Sequence, residues 1–176
     1  MEKRNVIKKI VLTGPECSGK TTLSTAIATR FNLPLVKEYA RSFLTQINRP
    51  YKYEDLLRIA KKQLESENQK SNSKSKKQLI ICDTNLQVIK LWSLIKYGKC
   101  DPFILKNQDY DSLYILCSPD FKWEEDPLRE DENNRKKIFE IYKEELQKNK
   151  QDFIIIDGTN EERINLLSSV IKQLIN

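Results

Sequence analysis

Residues 14–21 read GPECSGKT and match G-x-x-x-x-G-K-[S/T], the pattern of a phosphate-binding loop. Gly14 and Gly19 let the backbone curl around an anion and turn its N–H groups inward. Lys20 can reach the outer phosphates of a nucleoside triphosphate, and the Thr21 hydroxyl is a ligand for Mg²⁺. The motif predicts binding of ATP or GTP with Mg²⁺. The residues expected to contact the nucleotide are Gly14, Glu16, Cys17, Ser18, Gly19, Lys20, Thr21 and Thr22.

Acidic residues follow two predicted strands directly. In parallel α/β sheets ligands gather at the carboxyl ends of strands, so these residues are candidates for the metal and for a phosphate acceptor. Asp83 could bind a Mg²⁺-ligated water, accept a proton from a substrate hydroxyl, or cap the next helix. Glu38 suits ribose hydroxyls and Arg41 suits an anion or an aromatic face. A surface ion pair is the alternative for these two residues.

A charged segment, residues 120–150, separates the last two predicted strands. Arg129 and Arg135 lie in it and could sit on a flap that closes over the triphosphate, where they would stabilise the transferring phosphoryl group. A charged surface loop is the alternative. Trp123, in the same segment, is either a packing residue or a stacking platform.

Five short apolar segments alternate with helical patterns and would position these residues. The strands are predicted at 6–13, 33–37, 79–82, 113–117 and 153–157. Helices are predicted at about 20–31, from Tyr53 to Leu64, at 85–97, in the second half of 120–150, and after a Thr159–Glu162 capping box. Because the strands do not alternate apolar with polar residues, both sheet faces should be covered. This pattern predicts a parallel, three-layer α/β sandwich.

No internal repeat or second hydrophobic centre is visible, so residues 1–176 are expected to form one domain. Residues 66–77, rich in Ser, Asn and Lys, are predicted to be a frayed helix end or a solvated connector, with a nucleic-acid patch as the alternative.

The chain contains no histidine, which excludes Ser-His-Asp and Cys-His catalysis and any zinc site that needs imidazole. The net charge of +6 suits a polyphosphate ligand. The sequence shows no RNA- or DNA-binding motif, so nucleic acid is not the expected partner. The four cysteines show no C-x-x-C spacing, so free thiols are expected. No apolar run approaches the roughly 20 residues of a membrane span, and no secretory signal is visible. A cytoplasmic protein without a membrane partner is therefore expected.

Several motifs occur together in a specific order. They are GPECSGKTTL at 14–23, EYAR at 38–41, Gln63, DT at 83–84, and the stretch from Tyr110 through SPD, Trp123 and DPLRE to Arg135. In this combination the chain resembles the ribosylnicotinamide kinase domain of the NadR family of bacterial NAD-salvage proteins. The resemblance extends from residue 8 to about 175. The phosphate loop alone is unspecific, whereas the combination is specific.

The resemblance implies a P-loop kinase fold with strand order 2-3-1-4-5 and transfer of the ATP γ-phosphate to the 5′-hydroxyl of nicotinamide riboside. It implies a lid at about residues 120–136, with Thr21 and Asp83 serving Mg²⁺. Residues implied for catalysis are Lys20, Asp83, Arg129 and Arg135. Residues implied for the nucleoside site are Glu38, Tyr39, Arg41, Asp83, Trp123 and Asp126. Asp83 is the expected base for the 5′-hydroxyl, and Glu38 is the alternative that stays open.

The phosphate loop begins at residue 14, so we expect neither the adenylyltransferase nor the DNA-binding unit that precedes this domain in some family members. The expected partners are ATP and a small nucleoside, and self-association stays open. The alternatives are another nucleoside or nucleoside monophosphate kinase, a non-catalytic ATP-binding regulatory module, and a nucleic-acid-associated ATPase. A monophosphate acceptor would need a second arginine cluster near Glu38, for which Arg41 and Arg49 are the candidates.

Overall fold

The computed structural model describes residues 9–71 and 79–175, which form a five-stranded parallel sheet in the order β2-β3-β1-β4-β5. The strands are β1 Lys9–Thr13, β2 Leu35–Val36, β3 Ile80–Asp83, β4 Leu113–Cys117 and β5 Phe153–Ile156. The α-helices are α1 Lys20–Phe31, α2 Tyr39–Ile47, α3 Tyr53–Ser71, α4 Leu86–Tyr97, α5 Pro102–Lys106, α6 Arg135–Lys148 and α7 Asn160–Ile175. A short 3₁₀ helix, Glu132–Asn134, precedes α6. The predicted fold class and strand order are confirmed.

Both faces of the sheet are covered, which explains the lack of alternation in its strands. Ile10, Val11 and Leu12 are consecutive in β1, point to opposite faces, and are all fully buried. Ile10 and Leu12 pack in a cluster with α1 and α7, whereas Val11 packs in a second cluster with α4 and α6. The result is the predicted three-layer arrangement.

A third apolar cluster lies beside the sheet, where α2, α3, α4 and α5 meet. The sequence patterns did not predict the helices α2 and α5. The first is nine residues long and follows a strand of only two residues. The second has five residues and starts at Pro102 after the Asp101 cap, which is too short for a helical period. Within the two described ranges, no helix has the length and apolarity of a membrane span.

The predicted element boundaries are close to the observed ones. The Thr159–Glu162 capping box is confirmed, because the Glu162 carboxylate accepts from the Thr159 N–H at 2.8 Å and the Thr159 hydroxyl accepts from the Glu162 N–H at 3.3 Å. The helix α3 continues into the biased segment as far as Ser71. The remainder of that segment, and the predicted strand residues 6–8, lie outside the described residues.

Candidate active site

The loop between β1 and α1 has the backbone geometry that an anion cradle needs. Gly14 has φ of 128°, and a Cβ there would lie 2.7 Å from the Cys117 carbonyl oxygen. Gly19 has φ of 77°, and a Cβ there would lie 2.6 Å from the Phe121 ring. Both positions therefore require glycine, for conformation and for space.

Cys17 adopts a left-handed conformation, with φ of 51°. Its thiol donates to the Lys122 carbonyl oxygen at 3.2 Å. A β-branched residue fits this backbone region poorly, so Cys17→Val is expected to lower the free energy of unfolding by about 1–2 kcal/mol more than Cys17→Ala does. Urea denaturation of both variants measures this difference. Equal unfolding midpoints for the two variants would show that the loop carries no such strain.

Lys20 holds its ammonium group against the loop. The Nζ atom donates to the carbonyl oxygens of Gly14 at 3.0 Å and Pro15 at 2.6 Å, and lies 3.4 Å from the Ser18 hydroxyl. The loop amides and this ammonium therefore concentrate positive charge in one small volume, as binding of a polyphosphate requires.

Arg163 of α7 is only 1% exposed and bonds the backbone of the phosphate loop. Its guanidinium donates to the carbonyl oxygens of Ser18 at 2.8 Å, Ser118 at 3.0 Å and Gly158 at 2.9 Å. It also bonds the Asp120 carboxylate at 3.0 Å. One side chain thus ties the phosphate loop to the segments that follow β4 and β5.

The sequence reading missed Arg163, because an arginine on an amphipathic helix is usually a surface residue. A signal was present in the spacing, since Arg163 precedes the buried residues Leu167 and Ile171 by four and eight positions. This spacing places all three on the inner face of α7.

Asp83 ends β3 and is only 3% exposed. Burial raises the pKa of its carboxyl, whereas hydrogen bonding with the Thr21 hydroxyl and the charge of Lys20 act to lower it. Its Oδ1 atom has no hydrogen-bond partner among the described residues. An unpartnered carboxylate oxygen beside a hydroxyl fits a water molecule bound to Mg²⁺.

The described residues contain no group of three His, Cys, Asp or Glu side chains that could hold a metal ion by themselves. Mg²⁺ is usually held by one or two protein ligands together with water and substrate phosphates. The pair formed by Thr21 and Asp83 matches that requirement.

Glu38 occupies the N-cap position of α2 without a side-chain capping hydrogen bond, and it lines the cleft above the phosphate loop. Burial raises the pKa of its carboxyl, the nearby charges of Lys20 and Arg41 act to lower it, and the charge of Asp83 acts to raise it. A carboxyl group with a raised pKa that faces a cleft is suited to accepting a proton.

The cleft has a volume of about 520 Å³ and opens at the carboxyl edge of the sheet. Its walls away from the phosphate loop are largely apolar and come from α2, α4, α6 and the lid, residues 120–136. These wall residues are Ala40, Leu44, Val88, Trp92, Ile95, Leu128, Ile138 and Tyr142. The sequence did not predict Trp92 and Tyr142 as site residues. Their places on the cleft wall depend on how separate helices and the lid come together.

The two lid arginines approach the phosphate loop in different ways. Arg129 lines the cleft and donates to the Glu124 carbonyl oxygen at 2.6 Å. Arg135 is the first residue of α6, and it donates to the carbonyl oxygens of Phe121 at 2.8 Å and Cys17 at 3.4 Å. Its buried Nε atom has no hydrogen-bond partner among the described residues. The Arg135 guanidinium therefore links the start of α6 to the phosphate loop and to the segment after β4.

Arg41 and Arg49, the candidates for a second anion site, are both paired with carboxylates. Arg41 bonds Asp126 of the lid at 2.7 Å. Arg49 bonds both oxygens of the buried Asp55, at 2.7 and 3.0 Å. Their charge is therefore largely neutralised within the protein.

The structure separates the predicted site residues into two groups. All eight predicted nucleotide contacts line the cleft, as do Glu38, Arg41 and Arg129. The other predicted site residues lie outside the cleft lining; these are Tyr39, Asp83, Trp123, Asp126 and Arg135.

Tyr39 and Trp123, both predicted to contact the substrate, also make contacts within the protein. The Tyr39 ring packs beside Phe43 at 6.1 Å between centroids, and its N–H donates to the buried Gln63 at 2.9 Å. The Trp123 ring lies below the guanidinium groups of Arg129 and Arg135, at 5.8 and 5.7 Å. Trp123 thus contacts both lid arginines, and its role as a packing residue or as a stacking platform stays a prediction.

Comparison with solved structures confirms the kinase-type fold. A structure of NadR protein in complex with NR aligns with a TM-score of 0.80 and 21% identity, and covers 97% of this chain and 52% of that chain. NadR protein in complex with NAD and AMP-PNP aligns with a TM-score of 0.70 and 20% identity, over 94% of this chain and 50% of that one. The chain thus spans about half the length of these NadR proteins.

A deoxyadenosine kinase from M. mycoides with bound dCTP aligns with a TM-score of 0.61 and 15% identity, over 94% of this chain and 99% of that chain. A comparison with curated protein sequences finds no match. The family model AAA_28, described as an AAA domain, matches residues 9–163, which is most of the chain. On this match, and with the phosphate loop and sheet order that accompany it, the chain belongs to the AAA_28 family of AAA domains.

Proposed function

We propose that this protein is an ATP- and Mg²⁺-dependent kinase that phosphorylates the 5′-hydroxyl of a nucleoside, and that nicotinamide riboside is its acceptor. One observation carries the proposal. The phosphate loop with Lys20 and the carboxyl group of Glu38 face the same cleft. A donor phosphate and an acceptor hydroxyl could therefore meet there.

The phosphate loop supports ATP as the donor. Gly14 and Gly19 have positive φ angles, which let the loop backbone curl as an anion cradle requires, and the buried Arg135 Nε has no partner among the described residues. The similar NadR structure holds AMP-PNP, an analogue of ATP. Mg²⁺, when bound with the nucleotide, neutralises part of the phosphate charge, and Thr21 and Asp83 are the residues that would hold it.

The charges of the cleft favour an acceptor without a phosphate group. Both arginines that could bind an acceptor phosphate already pair with aspartates. Burial, together with the neighbouring carboxylates of Glu38, Glu16 and Asp131, raises the pKa of Tyr142 at the cleft wall. A partly aromatic wall with carboxylates beside it suits a neutral or cationic ring.

Nicotinamide riboside carries a cationic pyridinium ring, which fits this pocket better than a nucleotide would. The Trp92 ring on the cleft wall offers a face for cation–π contact. The NadR structure that this fold resembles was solved with NR. A neutral nucleoside is the second candidate, because deoxyadenosine kinase shares the fold over 99% of its length.

In the proposed mechanism Glu38 orients the acceptor hydroxyl and takes its proton as the phosphoryl group is transferred. Lys20 and the lid arginines stabilise the charge on that group. Asp83 is buried and sits with Thr21 on the metal side, so Glu38 is the stronger candidate for the base. The closed lid keeps water from competing with the acceptor.

The proposal is tested by incubating the protein with Mg·ATP and single acceptors, and identifying products by mass spectrometry. The panel contains nicotinamide riboside, adenosine, deoxyadenosine, thymidine and thymidine monophosphate. A monophosphate product from nicotinamide riboside, at the highest kcat/KM of the panel, is expected. Transfer only to thymidine monophosphate would replace the proposal with a nucleotide kinase, and ATP binding without any transfer would replace it with a regulatory module.

Asp83→Asn is expected to raise the Mg²⁺ concentration for half-maximal activity by about 10–100-fold, because residues that orient a metal-bound water contribute on that scale to metal affinity. Initial rates measured across a Mg²⁺ titration test this. Saturating Mg²⁺ should restore most of the rate, which it would not do if Asp83 were the base. An unchanged Mg²⁺ requirement with a low rate would return the role of base to Asp83.

A further inference from the structure

The side chain of Glu16 turns away from the phosphate loop and towards the lid. Its Oε2 atom accepts hydrogen bonds from the backbone N–H groups of Glu130 at 2.9 Å and Asp131 at 3.2 Å. The lid segment is more than 110 positions further along the chain. A residue of the nucleotide-binding motif therefore holds the backbone of the segment that covers the cleft.

These two N–H groups directly precede a short helix that lacks a side-chain cap, with Asp131 at its N-cap position. Asp131 precedes the 3₁₀ helix Glu132–Asn134 without a side-chain cap, and Asn134 precedes α6 without one. N–H groups at a helix start need an acceptor from elsewhere. The Glu16 carboxylate provides it, so the chain path from the lid into α6 depends on a residue of the phosphate loop.

Other contacts also hold the lid. At its start, the Asp120 carboxylate bonds the buried Arg163 guanidinium and accepts from the Gly158 N–H, each at 3.0 Å. Nearer to Glu130, the contacts are ion pairs between partly exposed side chains, Arg41–Asp126 and Lys96–Glu130. Such pairs typically contribute about 0–1 kcal/mol. Hydrogen bonds from backbone N–H groups to a carboxylate are charge-assisted and are stronger than neutral ones.

We infer that Glu16 is a positioning residue that latches the lid closed against the phosphate loop. Closure then depends on the loop that would hold the donor phosphates. Its neighbour Cys17 adds to this link, because the Cys17 carbonyl oxygen accepts from Arg135 at 3.4 Å. The role of Glu16 in holding the lid does not depend on the reaction, whereas its consequence for catalysis rests on the proposed function.

Glu16→Ala is expected to speed amide hydrogen exchange of the peptide that contains Glu130 and Asp131 by about 10-fold, the change that corresponds to losing about 1.4 kcal/mol of protection. Glu125→Ala is the matched control, because it removes the same charge from an exposed position in the lid. Glu16→Gln keeps one oxygen acceptor and should fall between them. Exchange in β4 should stay unchanged in every variant, which separates lid opening from global unfolding.

The catalytic consequence is measured with Mg·ATP in the presence and absence of acceptor. Glu16→Ala should raise the ratio of ATP hydrolysis to phosphoryl transfer about 10-fold, because an open lid admits water. Hydrogen exchange requires no substrate, so the role of Glu16 in holding the lid is tested independently of the proposed kinase function. Faster lid exchange without transfer to any acceptor would support the latch and overturn the proposed function. Lid exchange equal in Glu16→Ala and Glu125→Ala would overturn the latch, whether or not transfer occurs.

Discussion

Glu38→Gln is expected to lower kcat by a factor of about 10²–10⁴, the range contributed by a general base, while KM for ATP stays within a few-fold. Glutamine keeps the shape of the side chain but cannot take a proton. Glu144→Gln, an exposed carboxylate of α6, serves as the matched control and should leave the rate unchanged. A Glu38→Gln variant with near-normal kcat would remove Glu38 from the mechanism.

The same substitution is expected to stabilise the protein. Burial raises the pKa of Glu38, so the folded state binds this proton more tightly than the unfolded chain does. Ionising Glu38 therefore lowers the free energy of unfolding. This loss of stability is absent below the pKa of the unfolded chain and complete above the pKa of the folded state, so it acts at neutral pH. Replacing a residue that is kept for activity at a cost in stability commonly adds about 0.5–2 kcal/mol to the free energy of unfolding. Urea denaturation at pH 7 and pH 4 should show the gain at pH 7 and its loss at pH 4.

Lys20→Met is expected to lower kcat by a factor of about 10²–10³, the loss seen when one preorganised donor to the transition state is removed. Methionine fills similar space, but it carries no charge for the transferring phosphoryl group. Because Lys20 also bonds the Gly14 and Pro15 carbonyl oxygens, the loop amides lose a neighbour that helps to hold them. KM for ATP should therefore rise as well.

Initial rates and titration with a fluorescent ATP analogue measure both effects of Lys20→Met. Lys37→Met, an exposed lysine just after β2, is the control for loss of one positive charge. If Lys20→Met matched this control in both measurements, the loop would not be the donor site.

The features that the sequence predicted are those set by local pattern. GPECSGKT requires glycine at two positions, and the structure shows why, through the positive φ of Gly14 and Gly19 and the atoms packed against them. The uninterrupted apolar strands predicted a sheet covered on both faces. The strand order itself came from the family resemblance, since strand pairing is not encoded in any short stretch of sequence.

The features that the sequence did not predict depend on contacts between distant segments. Arg163 bonds carbonyl oxygens in three different loops, and Glu16 bonds lid amides far along the chain. Trp92 becomes a cleft wall only where the lid covers α4. Tyr39 follows Glu38 directly, yet the start of α2 turns it into the packing between helices. Only Arg163 could have been recognised from the sequence, because its spacing from Leu167 and Ile171 places it on the buried face of α7.

The central claim is that an acceptor hydroxyl lies between the phosphate loop and Glu38. A crystal structure of the protein with a non-hydrolysable ATP analogue, Mg²⁺ and nicotinamide riboside tests it most directly. The ribose 5′-oxygen is expected at hydrogen-bonding distance from the Glu38 carboxylate, roughly 2.6–3.2 Å, with the pyridinium ring against Trp92. A riboside bound outside this cleft, or one whose 5′-oxygen does not contact Glu38, would show that the proposed site is wrong.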